Sequence, residues 1–164
     1  MQIRIKVNKT ISKLSIIVLL SPIFCQVLIN EYSASNLSWY TDNYQMEEDW
    51  IELYNTGSTA EDIGGYFLSD DPDEPAKWMI PGGIVIPVDG YLVFWCSGRD
   101  EYYDNNLHTN FKLKQSKNNP DHVVFSDPNG NIIDDYEIQK TQLNHSMGRS
   151  KSNSSSCFFF HSAI

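Results

Sequence analysis

Residues 47–57 read EEDWIELYNTG, and this stretch decides how the rest of the chain is read. It sets Glu47, Glu48, Asp49 and Glu52 beside Trp50, Ile51, Leu53 and Tyr54. Paired carboxylates next to an aromatic ring are what a hydrolase needs. They are also what a half-buried strand looks like as it enters and leaves water. Side chains alternate across a strand, so Asp49, Ile51, Leu53 and Asn55 share one face and Trp50, Glu52 and Tyr54 the other. Ile51 and Leu53 form the core pair. Asp49 and Glu52, three apart, project from opposite faces, whereas acid–base chemistry needs convergence on one substrate. The pattern therefore predicts a strand rather than a catalytic pair.

The same chemistry recurs on both sides of it. Strands are predicted at 27–33, 50–54, 65–68, 77–80, 84–86, 91–96, 111–113, 122–126, 131–136 and 146–149, rich in Val, Ile, Phe, Tyr and Trp. Between them lie NTGST, SDDPDEP, IPGG, PVDG, SGRD, NNPD and DPNG, where Pro fixes φ and Gly or Asn supplies positive φ. DPNG, between VVF and IIDDY, is the clearest hairpin signal. No segment sustains a 3.6-residue period, and GRDEYYDNN is expected to form a turn or one helical turn. Short strands spaced by turns predict an all-β sandwich or barrel.

The ends read differently. Residues 1–13 carry Arg4, Lys6, Lys9 and Lys13 and no acid, and residues 14–24 are LSIIVLLSPIF. A basic segment followed by a short apolar one predicts a secretory signal over residues 1–25, cleaved before Gln26. It is too short to span a bilayer, which takes roughly 20 apolar residues. Removing its four basic residues leaves 8 of 12 Lys and Arg against 21 acids, a charge near −13. Such a polyanion is repelled by nucleic acid and anionic lipid, so neither a nucleic-acid partner nor a membrane span is expected. Residues 26–150 form the domain. Residues 151–164, with SKSNSSS running up to CFFF, are read as a Ser-rich tail, disordered or truncated. Export permits a disulfide, but Cys96 in YLVFWC is read as a core residue and two cysteines do not make a framework.

The order of these pieces resembles the lamin-tail domain, in the branch found in secreted bacterial proteins. The resemblance rests on VLINEYSASN (27–36), DWIELYNTGSTAEDIGGYFLSDD (49–71), KWMIPGGIVIPVDGYLVFWCSG (77–98), LHTNFKLKQS (107–116), VVFSDPNGNIIDDYE (123–137) and HSMGRS (145–150). It implies an immunoglobulin-like β-sandwich, export, and binding or attachment roles without catalytic residues.

Three site expectations follow from the residues. A catalytic reading, that of a secreted hydrolase or nuclease, would use Glu31, Asp49 and Glu52; Glu31 has the parity of Ile29 and is placed in or beside the core, paired with a backbone donor. A metal reading rests on SDDPDEP, whose Asp70, Asp71, Asp73 and Glu74 offer the hard oxygen ligands calcium takes, without the spacing of a twelve-residue calcium loop. A binding reading rests on loop aromatics, Trp39, Tyr40 and Tyr44 in NLSWYTDNY and Tyr102 and Tyr103 in RDEYYDNN, as anchors for a protein or glycan. No nucleophile motif is present, and His108, His122 and His145 are scattered. The sequence predicts an exported, non-catalytic attachment module at the cell surface, needing no cofactor unless calcium; a structural fragment of a longer surface protein is the other non-enzymatic reading.

Overall fold

The computed structural model describes residues 26–149 and 158–161, so the predicted signal segment and most of the tail, Cys157 included, lie outside the described residues. The strands are β1 (Val27–Ser33), β2 (Asp49–Asn55), β3 (Glu61–Asp62), β4 (Phe67–Ser69), β5 (Trp78–Met79), β6 (Val85–Ile86), β7 (Tyr91–Cys96), β8 (Glu101–Tyr103), β9 (Asn106–His108), β10 (His122–Ser126), β11 (Ile132–Glu137), β12 (Ser146–Arg149) and β13 (Phe158–His161). No described residue is helical. A seven-stranded sheet runs β13-β12-β1-β2-β7-β9-β8, a four-stranded sheet runs β11-β10-β4-β5, and β3 pairs β6. The chain is an all-β, immunoglobulin-like sandwich.

The core lies between the sheets. Val27, Ile29, Tyr32, Ile51, Leu53 and Phe94 from the larger sheet meet Leu68, Trp78, Val123 and Phe125 from the smaller one. Ile51, Leu53 and Asn55 point inward, as the alternation of DWIELYN predicts. Asn55 is buried yet satisfied, its amide donating to the carbonyls of Thr59 (2.8 Å) and Ile86 (3.0 Å). Cys96 is a buried free thiol, as expected of YLVFWC. Gly64 and Gly82 let two backbones meet: a Cβ on Gly64 would stand 2.9 Å from the Gly82 Cα.

One irregularity in β1 sets up the functional face. Pairing with β2 runs Ile29↔Leu53 and then Glu31↔Glu52, so Asn30 is an extra residue, a β-bulge. An extra residue reverses the parity that follows. Val27 and Ile29 face the core before it, and Tyr32 and Ala34 after it. Glu31, expected on the core side with Ile29, is thereby turned to the outer face. The bulge is held from both sheets: the Ile29 amide donates to Asp134 Oδ2 on β11 (2.9 Å), and Arg149 on β12 donates to the Ile29 carbonyl (2.6 Å) and to Asp134 (2.5 Å).

Other departures have local causes. The polar GRDEYYDNN forms the β8–β9 hairpin, not a helical turn. Its two-residue loop, Asp104 and Asn105, has φ of +48° and +60°, which Asp and Asn tolerate. Residues 111–113 do not form a strand; Phe111 and Leu113 are buried from an irregular segment. The DPNG hairpin is present as β10–β11, but Pro128 fixes a negative φ and only Gly130 turns left-handed, at +79°. Asp127 Oδ1 closes it by accepting from the amides of Asn129 (2.8 Å) and Asn131 (2.9 Å). Within the tail expected to be disordered or truncated, Phe158–His161 pairs with β12 as an added edge strand.

Candidate functional site

The outer face of the larger sheet carries a cleft of about 740 Å³ lined by Glu31, Trp39, Tyr40, Trp50, Glu52, Leu92, Val93, Trp95, Asn105 and Asn106. Its floor comes from cross-strand neighbours: Trp50 pairs with Trp95, Glu52 with Val93, and Glu31 with Glu52. Alternation puts these side chains opposite Ile51, Leu53 and Phe94. On the β12 side Glu31 faces Gly148, where an added Cβ would come within 3.2 Å of the Glu31 Cγ. The glycine thus leaves room for the glutamate.

The wall is the loop between β1 and β2, and internal hydrogen bonds fix it. Asn36, buried, donates its amide to the carbonyls of Tyr40 (2.7 Å) and Glu48 (2.8 Å) and accepts from the Tyr40 amide (3.2 Å). Asp42 Oδ1 accepts from the amides of Tyr44 (2.8 Å) and Met46 (2.9 Å), and its Oδ2 takes Arg99 at 2.7 Å. These bonds hold Trp39 and Tyr40 above the sheet, with ring centroids 4.8 Å apart, and Tyr40 meets Trp50 edge-on at 6.1 Å. Trp39 and Tyr40 stay 37% and 49% exposed although their backbone is pinned. A ligand would find these rings already placed, which lowers the ordering cost of binding. The β8–β9 turn closes the other end, with Trp95 Nε1 3.4 Å from Asn106 Oδ1.

Two carboxylates stand in the cleft. Glu31 accepts from the Ser146 hydroxyl, and Glu52 Oε1 accepts from the Asn30 amide at 2.7 Å. Burial holds the Glu52 carboxyl above its usual range; the Asn30 bond opposes that rise and the neighbouring charge of Glu31 adds to it. Asp49 is separate, as parity requires: it does not line the cleft, and its Oδ1 accepts from the Asn36 amide at 3.0 Å. Burial pushes its carboxyl up to about 6.

Of the five loop aromatics singled out in the sequence, the structure brings Trp39 and Tyr40 into the cleft. Tyr44 sits elsewhere, its ring 4.7 Å from the Arg99 guanidinium and its hydroxyl donating to Glu101 (2.8 Å). Tyr102 and Tyr103 are exposed on β8 and do not line the cleft. Sequence reasoning did not assign Trp50 and Trp95 to a site: the alternation of DWIELYN sets Trp50 opposite Ile51 and Leu53, but YLVFWC is apolar on both faces and does not single out the side of Trp95. In the SDDPDEP loop, Asp70 pairs with Lys77 (2.6 Å) and Asp71 Oδ1 accepts from the Asp73 amide (2.9 Å). Among the described residues no group of three or more His, Cys, Asp or Glu is gathered to hold a metal ion. His108 is fully buried between Ser97 (3.0 Å) and Asn43 (2.8 Å). Burial lowers its pKa, favouring the neutral imidazole that ties β9 to the loop.

No curated protein matches the chain. A family model does, that of the Lamin Tail Domain, over residues 24–140. The match spans the strands from β1 to β11, the bulge, and all the cleft-lining residues. With its immunoglobulin-like sandwich and this extent of match, the chain belongs to the Lamin Tail Domain family, a family of modules not known as enzymes.

Proposed function

We propose that this is an exported, non-catalytic binding module that attaches to a protein or glycan at the cell surface through the outer-face cleft. One observation carries the reading: Trp39, Tyr40, Trp50 and Trp95 surround a cleft of about 740 Å³ outside the core cluster, on a loop and sheet fixed beforehand. Trp39 and Tyr40 are left half in water over the buried Trp50, and exposed rings at a preformed concavity are the usual anchors of recognition. Export rests on the basic-then-apolar pattern of residues 1–25. The test is retention of the purified domain on isolated envelope of the producing cell. Trp95→Ala should cut retention at least about ten-fold while Tyr102→Ala leaves it unchanged. Equal retention of both variants would refute the cleft as the binding face.

A second reading, a hydrolase, draws on Glu31 and Glu52 sharing the cleft. Two features count against it. Their Cα atoms are cross-strand partners, roughly 5 Å apart, so both acids rise side by side from one floor instead of flanking a bond from two sides. The third acid, Asp49, is held outside the cleft by Asn36. Glu52→Gln should leave retention on envelope detectable; abolition of a measured hydrolytic activity by this variant would reinstate the enzyme.

A further inference from the structure

We propose that the cleft takes an organic cation, an alkylated ammonium group, seated among Trp39, Tyr40, Trp50 and Trp95 over the paired carboxylates of Glu31 and Glu52. The inference rests on the binding reading above and names its ligand class. Charge is the first argument. Every ionisable lining residue with a formal charge is an acid, and no Lys or Arg lines the cleft. An anionic ligand would be repelled, while a cation would relieve the repulsion between two carboxylates on neighbouring strands. Burial is the main cause of the raised pKa of Glu52, and the Glu31 charge adds to the rise.

Ring geometry is the second argument. Tyr40 and Trp50 meet at an interplanar angle of 86°, and Tyr40 and Trp39 at 33°. The open faces are those of Trp39 and Tyr40, tilted against each other above the buried Trp50 that Tyr40 meets edge-on. A flat sugar stacks on one face, whereas a rounded cation is attracted to several at once. The third argument is hydrogen bonding. One oxygen of each carboxylate is already taken, Glu31 by Ser146 and Glu52 by Asn30. The pair therefore supplies charge more than a full set of acceptors. That suits an ammonium whose N–H donors are replaced by methyl groups better than a guanidinium, which demands a fork of acceptors.

The test is titration of the folded domain at pH 8, read by tryptophan fluorescence. One arm uses choline, one the neutral isostere 3,3-dimethylbutanol, one Nα-acetyl-trimethyl-lysine amide and one a neutral gluco-oligosaccharide. Choline and the lysine derivative test a free or headgroup ammonium against a side-chain source. The expected result is saturable binding of at least one of these two, with the neutral isostere at least about ten-fold weaker. Glu52→Gln, which keeps an acceptor for Asn30, should weaken the ammonium about ten-fold at an undiminished melting temperature. Tyr102→Ala should leave binding unaltered. Equal binding of the isostere, or an unchanged Glu52→Gln variant, overturns the cation assignment. So does saturable binding of the oligosaccharide with no binding of either ammonium, an outcome that leaves the cleft as a binding face. Absence of binding in all four arms, together with undiminished envelope retention of Trp95→Ala, overturns both readings.

Discussion

Asp49→Asn is the substitution whose effect the structure fixes most closely. Asp49 opens β2, is partly buried, and accepts the Asn36 backbone amide at 3.0 Å. Burial is the main cause of the rise of its pKa from 3.8 to about 6; Glu48 adds to it, and the Asn36 bond and Lys112 oppose it. Between pH 4 and 6 the folded state therefore binds more protons than the unfolded state. Linkage then makes stability fall as pH rises through that window and level off above pH 7. A rise of about 2 units corresponds to roughly 3 kcal/mol at most, and partial exposure reduces this to about 1–2 kcal/mol. Asparagine keeps the oxygen that Asn36 needs and removes the charge. The variant should be about 1–2 kcal/mol more stable than the parent at pH 8 and no more stable at pH 4. Urea unfolding at pH 4, 6 and 8 measures the difference. A gain independent of pH, or a loss at pH 8, would refute the account of burial and loop anchoring at this position.

Three further outcomes are expected. Arg149→Met removes both the Ile29 carbonyl bond and the Asp134 ion pair that hold the bulge. A loss of about 3 kcal/mol in urea unfolding is expected, with Asp134→Asn recovering part of it in the double variant; a loss below about 1 kcal/mol would mean the clamp is not structural. Leu53→Asp sets a carboxylate at a fully buried core position; the domain should lose its cooperative thermal transition in circular dichroism, and a melt like the parent's would contradict the strand parity. Millimolar calcium and a chelator should give the same melting temperature, because Asp70 is engaged by Lys77 and the SDDPDEP acids are not gathered; a rise of several degrees with calcium would instead show that the loop binds the ion.

The regular strands were legible because alternation and turn chemistry are local. β1, β7, β10 and β12 have the predicted bounds, and β2 extends one residue at each end of its prediction. The bulge was not legible. Nothing in LINEY marks Asn30 as the extra residue, because the bulge depends on Asp134 and Arg149, more than 100 residues away, capturing Ile29. One residue of slip moved Glu31 from the core side to the cleft. The β8–β9 hairpin was hidden by polar composition: an edge hairpin can be tyrosine and acid throughout when one short strand, β9, supplies its buried residues. Likewise Phe111 and Leu113 look like a strand by composition but are buried from a segment whose backbone bonds go to Gly98 and the Thr109 side chain. The cleft was half legible. The part of its floor on β2, Trp50 and Glu52, follows from parity, whereas YLVFWC, apolar on both faces, does not show which side Trp95 takes. Its wall depends on how Asn36, Asp42 and Arg99 fold the loop back, which spacing alone does not reveal.

The four tryptophans allow the central claim, that the outer-face cleft is the binding face, to be tested within one sample. Trp39, Trp50 and Trp95 line the cleft, while Trp78 is buried in the core with its Nε1 donating to Asp100 at 2.9 Å. In nitrogen-15 labelled protein each indole N–H gives its own resonance. Titration with the soluble envelope fraction that retains the domain should shift or broaden the indole signals of Trp39, Trp50 and Trp95 and leave that of Trp78 in place. Binding that leaves all three cleft indoles unmoved would contradict the account.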